Sequence, residues 1–122
     1  MTQKNALIVD DEPDIRELLE ITLGRMDIQT RSAEDVKSAH SLLAEHTFDF
    51  CLTDMKLPDG NGIELVQHIS ANYPNLPVAM ITAHGNMESA VEALKAGAFD
   101  FVSKPVNLEL LRNLVDTALN LE

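Results

Sequence analysis

The chain has 122 residues, of which 45% are hydrophobic and 24% charged, and its formal net charge is −11. This length, with a mean hydropathy near zero, predicts one globular domain over residues 1–122 whose core is large enough to need no disulfide. The negative charge disfavours binding of nucleic acid or of an anionic membrane surface by the domain itself, because their phosphate groups would repel it.

Short apolar runs alternate along the chain with stripes of apolar residues at helical spacing, which is typical of repeated β-α units. The first run, residues 5–10, precedes a predicted helix that begins at Pro13, a residue that the first helical turn tolerates. A weaker, more exposed strand is predicted over residues 28–31. We expect the second helix to open at Ser32 or Ala33.

The middle of the chain holds the most apolar predicted strand, residues 48–54. Residues 58–62, Pro-Asp-Gly-Asn-Gly, are predicted to form a loop because they are rich in helix and strand breakers. A third helix is expected to stop near Tyr73, and a fourth strand covers residues 78–82. The helix after that strand is expected to end at Gly97.

The last predicted unit is a strand over residues 99–103 followed by a helix that Asn107 caps. Right-handed crossovers between parallel strands would place helices on both faces of a single sheet. The sequence therefore predicts an α/β fold, a flavodoxin-like (βα)5 doubly wound parallel sheet with strand order 2-1-3-4-5. Its topological switch point would lie between the first and third strands.

Polar and charged residues end these apolar runs: Asp10 and Asp11, Asp54, Thr82, and Lys104. The carboxyl ends of parallel strands share one edge, and ligands of open α/β sheets bind outside that edge. Carboxylates suit a hard cation such as Mg²⁺, and a carboxylate can attack phosphorus to form an acyl phosphate. The pattern thus predicts a pocket for a divalent cation and a phosphoryl group, with Asp54 as the nucleophile.

Each of these residues also has a plainer interpretation. An aspartate at a strand end often caps the next helix, a threonine there is often structural, and a single lysine is often only solvated. Only the combination favours the functional interpretation, in which Lys104 and Thr82 contact phosphoryl oxygens. Glu12 is interpreted as an acid at a helix start that faces water.

The single cysteine, Cys51, excludes an internal disulfide and is expected to be a buried, unreactive thiol. No apolar run is long enough to span a membrane, and the residues after Met1 do not form a signal segment. We therefore expect a cytoplasmic protein.

The pocket residues resemble the receiver domain of two-component response regulators, and the resemblance covers essentially the whole chain. It is carried by Asp10-Asp11, Asp54, Pro58, Gly62, Thr82-Ala83 and Lys104-Pro105. The resemblance implies that a sensor histidine kinase transfers a phosphoryl group from its phosphohistidine to Asp54. We therefore expect a phosphoacceptor switch rather than an enzyme, one that at most catalyses its own phosphorylation and dephosphorylation.

The resemblance also implies a set of metal ligands. Asp11 and Asp54 would bind Mg²⁺ directly and Asp10 through water, and the main-chain carbonyl of Lys56 would complete the protein ligands. The side chains of Lys56 and His84 occupy variable positions that modulate how long the acyl phosphate survives in receivers.

Two further features follow from the resemblance. Thr82 and Phe101 match a switch pair, in which the hydroxyl moves to the phosphoryl group and the aromatic ring turns inward. The Lys104–Pro105 peptide bond matches one that is usually cis in receivers, consistent with the tolerance of proline for that isomer.

Residues 90–101 resemble in particular the receivers of NtrC-class transcriptional activators. In that class a receiver usually precedes an AAA+ ATPase, which acts on RNA polymerase carrying the sigma-N factor, and a helix-turn-helix DNA-binding domain. Residues 7–25 and 51–60 resemble one regulator of type IV pilus genes within the class. The chain is therefore interpreted as an N-terminal receiver without its effector domains.

The fourth helix is the candidate for a conformational switch. Its stripe consists of small residues, Ala90, Ala93 and Ala96, around Val91 and Leu94, so it could shift at modest cost. An ordinary core-facing helix fits the same pattern. The resemblance favours a face of helix four, strand five and helix five that forms a homodimer on activation.

Three other functions fit part of the pattern. A single-domain phosphoacceptor protein would lack an effector. Haloacid-dehalogenase-like phosphohydrolases also form an aspartyl phosphate, but they use an Asp-x-Asp pattern after the first strand, where this chain has Asp10-Asp11-Glu12-Pro13. A flavodoxin-like FMN binder would need a phosphate-binding loop rich in Gly, Ser and Thr there, and this chain has acids.

Overall fold

The structure is a computed structural model and describes residues 3–83 and 87–120. His84, predicted to modulate the phosphoryl group, lies outside these residues. Within these residues, the five strands of the central sheet alternate with five helices: β1 (Lys4–Val9), α1 (Pro13–Gly24), β2 (Ile28–Ala33), α2 (Val36–Glu45), β3 (Phe50–Asp54), α3 (Gly62–Asn72), β4 (Val78–Thr82), α4 (Met87–Ala96), β5 (Asp100–Ser103) and α5 (Leu108–Leu119).

The five strands form one parallel sheet in the order β2-β1-β3-β4-β5. This confirms the predicted fold and the predicted strand order 2-1-3-4-5. The register pairs Asp54 with Ile81 and Thr82 with Ser103, so the strands end at nearly the same level. The carboxyl ends of β1, β3, β4 and β5 therefore form a continuous edge.

Each face of the sheet is covered by its own hydrophobic core. Alternate residues of the strands, such as Leu7 and Cys51, pack with α2, α3 and α4, and the intervening ones, such as Ile8 and Leu52, pack with α1 and α5. Burial on both faces explains why these strands are continuous apolar runs in the sequence. Cys51 is fully buried, as predicted, and burial raises the pKa of its thiol to about 12.

The helix ends agree with most of the predicted signals. Pro13 is the first residue of α1, and Asn107 caps α5 by accepting a hydrogen bond from the Leu110 N–H. Gly97 follows α4 with a φ of +123°, a conformation that side chains disfavour. No helix within residues 3–83 and 87–120 is long and apolar enough to cross a membrane.

The predicted start of the second helix is wrong. Ser32 and Ala33 continue β2, where they pair with Ile8 and Val9 of β1. The N-cap of α2 is Asp35, whose carboxylate accepts a hydrogen bond from the Ser38 N–H at 2.7 Å. The ladder to β1 therefore outweighs the local tendency of serine to begin a helix.

The loop predicted after β3 contains a short hairpin. Residues Lys56–Leu57 pair antiparallel with Gly60–Asn61, and Pro58 and Asp59 form the turn between them. We call residues 56–61 the 56–61 hairpin. Gly62, predicted to end the loop, is instead the first residue of α3.

The stripe predicted for helix four faces two ways. Ala90 and Ala93 are buried, whereas Val91 and Leu94 are 39% and 46% exposed. Of these four residues, the two alanines are therefore buried and the two larger aliphatic residues face solvent.

Candidate functional site

A lysine ammonium lies among three carboxylates at the carboxyl edge of the sheet. Lys104 Nζ is 3.2 Å from Asp10 Oδ2, 3.2 Å from Asp54 Oδ2 and 2.7 Å from Glu12 Oε1. The side chain of Lys104 is only 12% exposed, and those of Asp10 and Asp54 are 0% and 9% exposed. These contacts are therefore screened less than surface ion pairs are.

The sheet itself fixes these side chains in place. Asp10 follows the last residue of β1, and its N–H continues the ladder by donating to the carbonyl of Ala33 at 3.0 Å. The N–H of Lys104 does the same after β5, where it donates to the carbonyl of Thr82 at 2.8 Å. These two hydrogen bonds thus hold Asp10 and Lys104 in place as extensions of β1 and β5.

Four acids form a cluster that could hold a metal ion. Asp10, Asp11, Glu12 and Asp54 each offer a carboxylate oxygen, and these oxygens lie within 4.8 Å of one another. Asp11 and Glu12 are exposed, while Asp10 and Asp54 are buried. So many like charges at this distance are unfavourable unless a cation is added.

The environment of Asp10 fits a cation at this place. Burial, partly offset by the hydrogen bond from the Glu12 N–H, raises the pKa of Asp10 above its ordinary value. Within the described residues, its buried Oδ2 has no hydrogen-bond donor of acceptable geometry. The Lys104 ammonium 3.2 Å away is therefore a charge partner rather than a well-aligned donor. This oxygen can still bind a cation.

Lys104 remains protonated in this setting. Burial opposes its charge, but the hydrogen bond to Glu12 and the charges of Asp10 and Asp54 outweigh burial and raise the pKa of Lys104 above its ordinary value. The lysine thus supplies a fixed positive charge next to Asp54.

Thr82 and Phe101, the predicted switch pair, lie on adjacent strands. Thr82 is buried at the end of β4, and its hydroxyl lies 4.0 Å from the sulfur of Met55. Phe101 pairs with Met80 in the sheet and packs half-buried against the core beneath α2, α3 and α4. The threonine thus stands at the carboxyl edge and the ring two positions earlier along the neighbouring strand.

The remaining predicted residues flank the acidic cluster. Lys56 is exposed at the start of the 56–61 hairpin, and its N–H lies 3.5 Å from Asp54 Oδ1. The Lys104–Pro105 peptide bond is cis.

Comparison with known proteins identifies the family. The response regulator receiver domain family matches residues 6–116. The chain belongs to this family. The response regulator protein PilR of Pseudomonas aeruginosa is 65% identical to this receiver domain over 121 residues, which are 99% of this chain and 27% of that protein.

Other relatives place the receiver domain near NtrC. The regulatory protein AtoC of Escherichia coli is 36% identical over 95% of this chain and 25% of its own length. NtrC of Proteus hauseri is 34% identical over 98% of this chain and 25% of its own length. The predicted resemblance to receivers of NtrC-class regulators is confirmed. The chain spans about a quarter of the length of these relatives.

Solved structures agree with this assignment. The receiver domain of NtrX from Brucella abortus superimposes with a TM-score of 0.90 at 36% identity, covering 96% of this chain and 99% of that one. The beryllofluoride-activated NtrC4 receiver domain dimer gives a TM-score of 0.91 at 32% identity, covering 96% and 97%.

One residue of the receiver domain's site has a contact that the sequence interpretation did not include. Glu12 faces water as expected, with its side chain 56% exposed, but its carboxylate also lies 2.7 Å from Lys104 Nζ. Its position beside Asp10 and Asp11 was the available signal. Its partner, however, is 92 residues away along the chain.

Proposed function

We propose that this receiver domain is the phosphoacceptor switch of a two-component system. In this proposal Asp54 accepts a phosphoryl group from the phosphohistidine of a sensor histidine kinase. The observation that carries the proposal is the position of Lys104 Nζ, 3.2 Å from both Asp10 Oδ2 and Asp54 Oδ2. This arrangement places a buried carboxylate next to the ammonium of Lys104, at the edge of the sheet where α/β folds bind ligands.

The residues have distinct roles in the transfer. An oxygen of Asp54 attacks phosphorus while the bond from phosphorus to the donor's imidazole nitrogen breaks, and the imidazole leaves as a neutral ring after taking up a proton. Lys104 offsets the negative charge of the phosphoryl oxygens, and the Thr82 hydroxyl donates a hydrogen bond to one of them. No substrate is turned over, because the product is the modified domain itself.

Mg²⁺ is the proposed cofactor. Asp10, Asp11, Asp54 and the main-chain carbonyl of Lys56 would hold it, and the undonated Asp10 Oδ2 supports this assignment within the described residues. Hard oxygen ligands with room for water are what Mg²⁺ prefers. When bound, the ion supplies positive charge beside the phosphoryl group.

The proposed output is a homodimer formed through α4, β5 and α5. Val91 and Leu94 of α4 and Leu110 of α5 are large apolar residues that face solvent, with exposures of 39%, 46% and 61%. The solved NtrC4 receiver is a dimer in its beryllofluoride-activated form. In the proposed switch, Thr82 moves toward the phosphoryl group and Phe101 turns inward, which changes this face.

In the full-length protein, the receiver domain over residues 1–122 would control effector domains. The relatives are about four times as long as this chain, and several are named as DNA-binding transcriptional regulators. By resemblance we propose an AAA+ ATPase that acts with the sigma-N factor, followed by a helix-turn-helix domain, in the cytoplasm. By the same resemblance we propose type IV pilus genes as the target. The gene sequence after residue 122 tests the effector proposal.

Substitution of the acceptor tests the central claim. Labelled acetyl phosphate should modify the wild-type domain in Mg²⁺ but not in excess chelator, and Asp54→Asn should take up no label. Asp49→Asn is the matched control, because Asp49 adjoins the opposite end of β3, where its carboxylate accepts a hydrogen bond from the Asn5 N–H. Labelling of Asp54→Asn at another residue would refute the assignment, and steady release of phosphate from varied monoesters would favour a phosphohydrolase.

A further inference from the structure

The tip of the 56–61 hairpin is tied to a distant helix. Asp59 Oδ1 accepts the N–H of Val36 at 2.8 Å, and Asp59 Oδ2 accepts the N–H of Lys37 at 3.1 Å. Val36 and Lys37 are the first two residues of α2 and lie more than twenty positions earlier in the chain. Both oxygens of one carboxylate therefore connect the hairpin to α2.

This helix already has a cap from its own sequence. Asp35 Oδ1 accepts the N–H of Ser38, which satisfies one of the N–H groups that every helix start leaves open. Asp59 satisfies two others from outside. Two aspartates thus cap the first turn of α2: Asp35 directly precedes the helix, and Asp59 belongs to the hairpin.

The other end of the hairpin is fixed next to the phosphoacceptor. The N–H of Met55 donates to the carbonyl of Ile81 at 3.0 Å, and the N–H of Gly62 donates to the carbonyl of Met55 at 2.7 Å. At the tip, a Cβ on Gly60 would lie only 3.3 Å from Val36 Cγ2, so the hairpin packs closely on α2. Lys56 lies between these two attachments.

We infer that Asp59 is a positioning residue, whose two bonds to α2 hold the 56–61 hairpin and with it the main-chain carbonyl of Lys56, which the proposed function assigns to the cation. The inference rests on the proposed function of the pocket as a Mg²⁺ site. Groups that orient a metal ligand typically change metal affinity by about 10- to 100-fold when they are removed. In this way the start of α2 helps to position the hairpin beside the pocket.

The experiment compares Asp59→Ala with Asp35→Ala. Both variants remove a cap from α2, but only the first releases the hairpin. We expect Asp59→Ala to weaken Mg²⁺ binding about tenfold, measured by calorimetric titration of the metal alone, and Asp35→Ala to change it by less than about twofold. Asp59→Asn keeps one oxygen acceptor and should show an intermediate affinity.

The rate of labelling by acetyl phosphate separates positioning from damage. With Asp59→Ala the rate should fall at low Mg²⁺ and recover at saturating Mg²⁺, because the acceptor itself is unchanged. Wild-type affinity in Asp59→Ala, or equal weakening by Asp35→Ala, would overturn the inference. If Asp59→Ala does not fold, Asp59→Asn carries the same comparison. A wild-type domain that binds no Mg²⁺ would instead refute the proposed function and, with it, this inference.

Discussion

Gly62 offers the sharpest test of how the end of β3, at Asp54, is packed. A Cβ at this position would lie 2.1 Å from the carbonyl oxygen of Asp54, 3.1 Å from its carbonyl carbon and 3.2 Å from the Cα of Met55. All three are main-chain atoms, so no flexible side chain can move aside. Gly62→Ala must therefore displace either the end of β3 or the start of α3.

The size of the effect follows from that overlap. The shortest contact is more than 1 Å below the separation of about 3.5 Å at which heavy atoms attract. Overpacking of a core costs about 1–3 kcal/mol, and we expect the upper end, about 3 kcal/mol, because two main-chain segments must separate. The Gly62 N–H bond to Met55, 2.7 Å long, would be strained as well.

Gly24→Ala is the matched control. Gly24 is the last residue of α1, and a Cβ there would have no atom within 4 Å. Alanine at such a site stabilises a protein by about 0.4–1 kcal/mol, because it restricts the unfolded chain. The same substitution should thus have opposite signs at the two glycines.

Urea denaturation followed by circular dichroism measures both free energies of unfolding. Acetyl phosphate labelling of folded Gly62→Ala should also be slower than that of wild type, because the overlap is with the main chain of Asp54 itself. A Gly62→Ala variant within about 0.5 kcal/mol of wild type, the range of an ordinary surface substitution, would refute the argument that α3 and Asp54 are locked together.

Two predictions concern protonation. Burial raises the pKa of Asp10, so the charged carboxylate is unfavourable in the folded state, and asparagine can still accept the Glu12 N–H. Asp10→Asn should therefore raise the melting temperature of the metal-free domain at pH 7. A lower melting temperature would contradict the burial argument. Burial and the ring of His40, 4.3 Å away between centroids, hold the pKa of His68 below 6.5. As the pH falls below 6.5, His68 therefore becomes protonated in the unfolded chain before it does so in the folded domain, and stability falls. Above pH 6.5 His68 is neutral in both the folded and the unfolded state. Melting from pH 8 to 5.5 should show a shallower loss in His68→Gln than in wild type, and equal slopes would contradict this reasoning.

The fold could be predicted because burial on both sheet faces leaves a direct mark on the sequence. Leu52 and its neighbours in β3 have no exposed side, so the strand is an unbroken apolar run that only a central position explains. Ser32 and Ala33 do not belong to such an apolar run. Their place in β2 depends on pairing with Ile8 and Val9, which local sequence does not report.

The same distinction separates the site residues that were found from those that were missed. Parallel topology brings strand ends together whatever the loops do, and it therefore predicted the meeting of Asp10, Asp54 and Lys104. The partners of Glu12 and Asp59 are set by loop geometry. Each contact joins positions far apart in the chain, and neither residue lies at the end of an apolar run.

The charge balance of the pocket explains why the proposed cation and phosphoryl group belong to one mechanism. Three carboxylates contact the ammonium of Lys104, and the carboxylate of Asp11 lies in the same cluster, so four negative charges and one positive charge leave the metal-free pocket with an excess of three negative charges. Phosphorylation would replace the single charge of Asp54 by nearly two. One divalent cation lowers the excess in either state, and its attraction is greater when the phosphoryl group is present. On the proposed function, Mg²⁺ and phosphorylation must therefore favour each other, and linkage makes that coupling equal in both directions.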